Sequence, residues 1–363
     1  MDLQPARQTH IDALKFLAAQ LIVLHHFALY GPLSEDLAQA SPEVAGWLRQ
    51  YALMAVHVFL AMGGFLAARS LSHQGADRPW LSVVAERYAR LMPPFALALV
   101  LAVACSALAR HWLDHDFIPA APTGWQMLAH LGFVQDIADL PSLSAGVWYV
   151  AMDFHLFALL ALLLRSGPQL GPILVLALMG ASLLVFNRQP DLDEWALYFF
   201  GSYGLGAAAW GASRSPHAHR WLTALAGLGL LALALDFRER LLLALATALV
   251  LGLWERHRSA AVCARPEREG RWHLLLRAGL AQQGASSYAL FLLHFPVLLL
   301  ANTFYSTLTP AHAISAVAVL LAAWLVSVWG AMAFHRWVER PIERRIRSWA
   351  EQRKQGTGQQ TAA

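Results

Sequence analysis

The sequence predicts an all-α, polytopic membrane protein with about ten transmembrane helices and both termini in the cytoplasm. Its 363 residues are 58% hydrophobic and only 14% charged, whereas a soluble domain has about 25% charged residues. Ten apolar runs approach the length of about 20 residues that a bilayer-spanning helix needs. The loops between these runs alternate between basic and non-basic, as the positive-inside rule requires.

The apolar runs define one membrane domain over residues 1–345, followed by a short polar cytoplasmic tail over residues 346–363. The seventh and eighth runs are short and only four residues, Asp236 to Glu239, join them, so they form a tight hairpin or shift by a few residues. The predicted spans are approximately 12–30, 51–69, 91–109, 147–164, 170–186, 195–211, 221–235, 239–254, 286–303 and 313–335.

The loop charges set the predicted orientation and exclude other classes of protein. The second loop carries four arginines and the eighth carries six, whereas the third carries four aspartates. The net charge of +4 therefore comes from short cytoplasmic loops and does not indicate a nucleic-acid-binding protein. The two cysteines form no disulfide framework, and the 16 histidines lack metal-ligand spacing, so no metal site is predicted.

The first span carries the most unusual polar residues, because Lys15, His25 and His26 interrupt an apolar helix. Lys15 and His26 are eleven residues apart, very nearly three turns, so both lie on one face about 16 Å apart. This geometry places Lys15 at the cytoplasmic interface and His26 near the midplane. His25 points about 80° away from that face, as a neighbour or packing residue. Ionisable residues inside a membrane indicate a functional site, although Lys15 alone is equally explained as an interfacial anchor.

Two later spans carry ionisable residues at a similar depth. Asp153 lies in the fourth span, and its carboxylate is expected to face the bundle interior near His26, where it would orient the imidazole. The alternative is a structural ion pair of Asp153 with Lys15, His155 or an arginine. His294 lies about 12 Å from the cytoplasmic end of the ninth span, and Pro296 frees a backbone carbonyl in the same turn. A proline kink with a hydrogen-bonded histidine explains this segment equally well.

Arg87 and Arg90 lie three residues apart at the cytoplasmic start of the third span, on one helix face. Arginines in this arrangement can bind a phosphate group through paired hydrogen bonds. Topology alone also places arginines there, so the pair by itself is a weak signal.

Six motifs, in this order, resemble the acyltransferase 3 family of integral-membrane acyltransferases over nearly the whole chain. The motifs are Ile11-Asp12-x-Leu14-Lys15 followed by His26, the glycine-containing stretch from Phe59 to Leu66, Arg87 to Pro94, Trp148 with Asp153 and Phe157, Ser287 to Pro296, and Glu339-Arg340-Pro341. Lys15 stands where the family usually has arginine, and Asp153 stands where it usually has glutamate.

The resemblance implies an O-acyltransferase, in most members an acetyltransferase, of bacterial glycans and related acceptors in the cytoplasmic (inner) membrane. It implies acyl-CoA as donor substrate with no bound cofactor, a hydroxyl acceptor, and a ten-span core. We therefore expect Lys15, Arg87 and Arg90 to bind the donor at the cytoplasmic mouth, together with arginines of the eighth loop. His26 would be the general base, Asp153 would orient it or receive the proton, and His294 would be a second base or an oxyanion donor. A transient acyl-histidine is a variant of this mechanism.

Two other functions remain open at this point. A multi-span transporter or flippase would use the buried histidine and aspartate as a proton relay, but the inverted repeats typical of such proteins are not visible. A sensor or scaffold would keep the fold and lose the activity. Neither the acceptor nor the oligomeric state follows from the sequence.

Overall fold

The computed structural model describes residues 9–74, 78–261, 271–309, 312–346 and 348, and these residues form helices and loops without strands. The α-helices are α1 (Thr9–Leu29), α2 (Pro32–Ala40), α3 (Pro42–Gln50), α4 (Ala55–His73), α5 (Trp80–Trp112), α6 (Gly124–Leu131), α7 (Val147–Leu164), α8 (Leu170–Leu184), α9 (Ala196–Arg214), α10 (Ala218–Leu235), α11 (Glu239–Ala261), α12 (Arg271–Ala285), α13 (Ser287–Leu308) and α14 (Ala313–Phe334). A π-helical segment, His335–Glu339, extends α14.

Eight helical segments in the described part of the chain are long and apolar enough to cross a membrane, which confirms a multi-pass membrane protein. Helices α9 and α11 occupy the predicted sixth and eighth spans but are not among the eight. Helix α9 contains four glycines and α11 carries charged residues near both ends, which lowers their hydropathy. The count of ten spans and the cytoplasmic termini therefore stay predictions.

Several helix boundaries differ from the predicted spans. Helix α5 begins at Trp80, eleven residues before the predicted third span, and continues through Pro93 and Pro94. The predicted eighth loop contains α12, which packs so closely on α1 that a Cβ at Gly284 would lie 2.7 Å from Cα of Asp12. The tight hairpin predicted between the seventh and eighth spans is confirmed by α10 and α11.

Helices α2 and α3 cover the C-terminal end of α1. The Arg49 side chain of α3 donates hydrogen bonds to the carbonyl oxygens of Ala28 (2.6 Å) and Ser34 (3.1 Å). The backbone N–H of Leu33 donates to Asn302 Oδ1 of α13 at 3.0 Å. The Ala28 carbonyl lies in the last turn of α1 and the Leu33 N–H lies in the first turn of α2, where helix ends leave such groups unpaired, so the cover is fixed to both α1 and α13.

Helices α4 and α9 cross in direct backbone contact near the centre of the bundle. A Cβ at Gly64 would lie 1.8 Å from the carbonyl oxygen of Tyr203, and one at Gly206 would lie 1.7 Å from that of Ala61. Small residues at such crossings are typical of membrane helix packing, because they let two backbones approach closely. The crossing fixes Tyr203, whose side chain is fully buried, against α4.

Replacing Gly206 with Ala should destabilise the protein, because the new methyl group overlaps the backbone of Ala61 and forces α4 and α9 apart. Overpacking of this kind costs about 1–3 kcal/mol, measurable as a lower melting temperature of the detergent-solubilised protein. Gly211 is the matched control in the same helix, since a Cβ there would meet nothing within 4 Å. An equal melting temperature for Gly206→Ala and Gly211→Ala would contradict the close crossing.

Candidate active site

A cavity of about 370 Å³ lies between α1, α4, α5, α7 and α13. We call it the central cavity. Three cationic residues, Lys15, Arg87 and Arg90, and one carboxylate, Asp153, line it. Its other lining residues are Phe59, Met62, Gly63, Leu66, Ala67, Ser70, Leu91, Tyr149, Val150, Ser287, Tyr288 and Phe291. The cavity combines an apolar wall with a few charged groups, the usual composition of a small-molecule site.

Arg87 and Asp153 form an ion pair across the wall of the central cavity. The Asp153 side chain is 12% exposed and the Arg87 side chain is 27% exposed, and both line the cavity. The Arg87 guanidinium also lies 4.9 Å from the ring centroid of Phe157, and its buried Nε has no hydrogen-bond partner among the residues that the structure describes. Buried charges need this kind of pairing, since an isolated charge in an apolar interior is very costly.

The predicted pairing of Asp153 with His26 is wrong: Asp153 pairs with Arg87, the arginine alternative that the sequence left open. The physical reason is the early start of α5. Because α5 begins at Trp80, Arg87 lies about 10 Å along the helix from its first residue rather than at its predicted cytoplasmic end. It therefore reaches the carboxylate on α7.

Tyr203 belongs to the same buried group of polar side chains, although it was not among the residues predicted for the site. Its hydroxyl is buried and has no hydrogen-bond partner among the described residues. A Cβ at Gly63 would lie 3.1 Å from the Tyr203 ring and 3.2 Å from Asp153 Oδ1, so the glycine admits both side chains. The available sequence signal was the glycine-rich composition of α9, which indicates a close helix crossing.

His26 and His294 are brought together by the fold and hydrogen-bond directly. His26 Nδ1 lies 2.7 Å from His294 Nε2, and the planes of the two rings are within 7° of parallel. Both side chains are buried, at 6% and 0% exposure. His294 lies only two turns into α13, whereas His26 lies in the last turn of α1. The sequence identified both residues but did not predict that they pair.

The hydrogen bonds around this pair indicate its tautomer. His294 Nδ1 lies 3.2 Å from the carbonyl oxygen of Leu290, which can only accept, so Nδ1 carries the proton. In the neutral ring, His294 Nε2 is then an acceptor, and His26 Nδ1 donates to it. It follows that neutral His26 has its lone pair on Nε2. The pair is therefore arranged with His26 as a proton acceptor and His294 as its orienting partner.

The histidine pair lies behind the wall of the central cavity, because neither ring lines it. Phe291 forms the wall at this point, with its ring centroid 6.0 Å from that of His294 and 5.4 Å from that of Tyr149. The Phe291 ring also rests on Gly146, where a Cβ would approach it to 2.8 Å and where φ is +83°. Phe291 therefore lies between the cavity and His294, the hydrogen-bond partner of His26.

The other predicted site residues occupy different environments. His25 faces away from the pair, and its Nδ1 lies 3.0 Å from the carbonyl oxygen of Leu48 in α3. This contact matches its alternative role as a packing residue. Lys15 lines the cavity, and Arg90 also lies 3.8 Å from Glu86. Of the predicted eighth-loop arginines, Arg265 and Arg268 lie outside the described residues.

Comparison with known proteins identifies a family. The model of the acyltransferase 3 family, described as an acyltransferase domain, matches residues 9–336. This match confirms the resemblance found in the motifs. A regulator of hypoxia-inducible factor 1 from Caenorhabditis elegans is 25% identical over 192 residues. The alignment covers 48% of this chain but only 38% of the relative, well under two thirds of its length. No solved structure matches the chain.

The buried ion pair predicts a specific pattern of stability. Arg87→Gln and Asp153→Asn should each lower the melting temperature strongly, because removal of one partner leaves a buried charge and costs about 3–5 kcal/mol. The double variant, with two neutral amides, should recover most of that loss. Thermal unfolding of the four detergent-solubilised proteins tests this. Additive destabilisation in the double variant would show that the two side chains are not coupled.

Proposed function

The chain belongs to the acyltransferase 3 family of membrane acyltransferases, and we propose that it transfers an acyl group from cytoplasmic acyl-CoA to a hydroxyl group of an envelope or exported glycan. Acetyl is the expected acyl group, and the bacterial inner membrane is the expected location. The observation that carries the proposal is that a cationic cavity and a buried histidine pair lie close together. The Phe291 ring lies between the cavity and His294 of that pair.

The central cavity carries charge complementary to the donor and has room for its thioester arm. Acyl-CoA is a polyanion with a long, flexible arm that ends in a thioester. Lys15 and Arg90 supply positive charge along the wall, and the cavity volume of about 370 Å³ lies in the range for small-molecule sites. Arg87 is half of an internal ion pair. In this proposal it therefore contributes by holding α5 against α7.

The reaction requires a base, and His26 is the residue arranged for it. His26 Nε2 takes the proton from the acceptor hydroxyl as the oxygen attacks the thioester carbonyl carbon. The tetrahedral intermediate then collapses with cleavage of the carbon–sulfur bond. The leaving thiolate takes the proton from His26, so that the products are the acyl ester and CoA with a free thiol. His26 returns to its neutral form for the next cycle.

His294 acts as a positioning residue for His26 in this scheme. Its bond to the Leu290 carbonyl fixes its own tautomer, and its Nε2 then holds His26 Nδ1–H. This arrangement keeps the reactive lone pair on His26 Nε2, as a second residue does for many catalytic histidines. Asp153, paired with Arg87, has a structural role here instead of receiving the proton.

Substitution of His26 by alanine should reduce acyl transfer by about 10²–10⁴-fold, the usual contribution of a general base. The measurement is release of free CoA thiol from acetyl-CoA by purified protein with an extract of envelope glycans. His25→Ala is the matched control, since His25 faces α3, and it should retain transfer. Full activity of His26→Ala at equal expression would overturn the assignment of the base.

Variants of His294 separate a positioning role from a general effect on folding. His294→Ala should lower kcat by about tenfold or more with little change in KM, because it releases His26 from its orientation. His294→Gln should recover part of kcat, since an amide oxygen can accept the hydrogen bond from His26 Nδ1. Equal loss in both variants, or a change confined to KM, would argue against this role.

The rival function, solute transport by a proton relay, predicts a different result for the purified protein. An acyltransferase in detergent should consume acetyl-CoA and produce a covalently acylated acceptor without any membrane gradient. Mass spectrometry of envelope glycans should also show acetyl groups that disappear when the gene is deleted or His26 is replaced. Unchanged glycans in both strains would leave the proposed acceptor class without support.

A further inference from the structure

A second group of cationic side chains surrounds Trp210, near the end of α9. We call Arg69, His73, Trp210 and Arg214 the Trp210 cluster. The guanidinium carbons of Arg69 and Arg214 each lie 5.8 Å from the centroid of the indole. The His73 ring lies 6.3 Å from it. Trp210 is 7% exposed, so it is a fixed platform on which the arginines rest.

The two arginines are unusual because, among the described residues, no carboxylate forms an ion pair with them. The buried carboxylate of Glu255, on α11, pairs with Arg258 at 2.7 Å. Cation–π contact uses the faces of the guanidinium groups and leaves their N–H groups at the edges free to donate. Such groups bind phosphate oxygens strongly and through paired hydrogen bonds.

Helix geometry connects the Trp210 cluster with the central cavity. Arg69 follows the cavity residue Met62 by seven residues, and His73 follows Leu66 by seven. Side chains seven residues apart on a helix differ in direction by only about 20° and lie about 10 Å apart along the helix axis. Arg69 and His73 therefore continue the cavity-facing side of α4 beyond the cavity. Ser70, which lines the cavity between them, is exposed.

We propose that the Trp210 cluster binds the phosphate groups at the nucleotide end of the acyl donor. This inference rests on the proposed function, in which the thioester arm of acyl-CoA occupies the central cavity. The cavity takes the arm, with Lys15 and Arg90 attracting the polyanion at its wall, and the Trp210 cluster takes the phosphates themselves. Its ligand class is therefore a nucleotide phosphate, for which 3′,5′-ADP is the minimal probe.

Equilibrium binding of three probes to the purified full-length protein tests the proposal. The probes are CoA, 3′,5′-ADP, which lacks the arm, and pantetheine, which lacks the phosphates. Arg69→Gln and Arg214→Gln should each weaken binding of CoA and 3′,5′-ADP by about tenfold, as loss of one charge-assisted contact does. Binding of pantetheine should not change. Arg220→Gln, an exposed arginine in the next helix, is the matched control and should bind all three probes as the wild type does.

The possible outcomes distinguish this proposal from the proposed function. Wild-type protein that binds neither CoA nor pantetheine would contradict the proposed function itself. Wild-type protein that binds CoA, with no loss in Arg69→Gln or Arg214→Gln, would overturn only the phosphate site. Equal weakening of pantetheine would indicate a folding defect and also overturn it. Loss of binding to vesicles containing phosphatidylglycerol, with CoA affinity unchanged, would assign the Trp210 cluster to lipid headgroups instead.

Discussion

The ion pair between Arg87 and Asp153 is the interaction on which the rest of the site depends. A charge inside an apolar bundle must be neutralised where it stands, and the two helices that carry these residues are held together by that requirement. Once α5 and α7 are fixed, Phe157 packs against the guanidinium and Tyr203 packs beside the carboxylate, across from Gly63. The wall of the central cavity is thus built around one electrostatic contact.

The second polar element, the His26–His294 pair, is neutral and obeys a different rule. It avoids the cost of a buried charge by forming a chain of hydrogen bonds that ends on the carbonyl oxygen of Leu290. The structure therefore separates two tasks in space. Fixed charges line the cavity on one side of Phe291, and a titratable base lies on the other side. In the proposed reaction, the phenylalanine ring lies between the donor cavity and His294, which orients the base.

The proposed division of the donor between two sites follows the same principle. Cations within the bundle are costly and few, whereas those at the ends of helices are accessible to solvent and easily accommodated. The Trp210 cluster lies at such ends, beyond the cavity on α4 and at the end of α9. A ligand with a neutral arm and a charged head matches this distribution. The crossing of α4 and α9 through Gly64 and Gly206 holds both parts in one rigid unit.

The sequence by itself determined the family, the all-helical membrane class and the residues worth testing. Composition and ordered motifs act locally or sum over the chain, so His26, His294, Asp153 and Arg87 could be selected without coordinates. Their partners could not be predicted. Helical phase places a side chain on a face, but it does not say which helix packs there or how far one helix slides along another.

The early start of α5 moved Arg87 into the bundle and gave Asp153 a partner other than His26. Helices α1 and α13 are offset along their axes, so that His26, in the last turn of α1, lies beside His294, two turns into α13. Tyr203 and Phe291 are ordinary aromatic residues in apolar runs, and only the helix crossings made them part of the site. Tertiary structure decided these contacts because packing, unlike composition, depends on residues far apart in the chain.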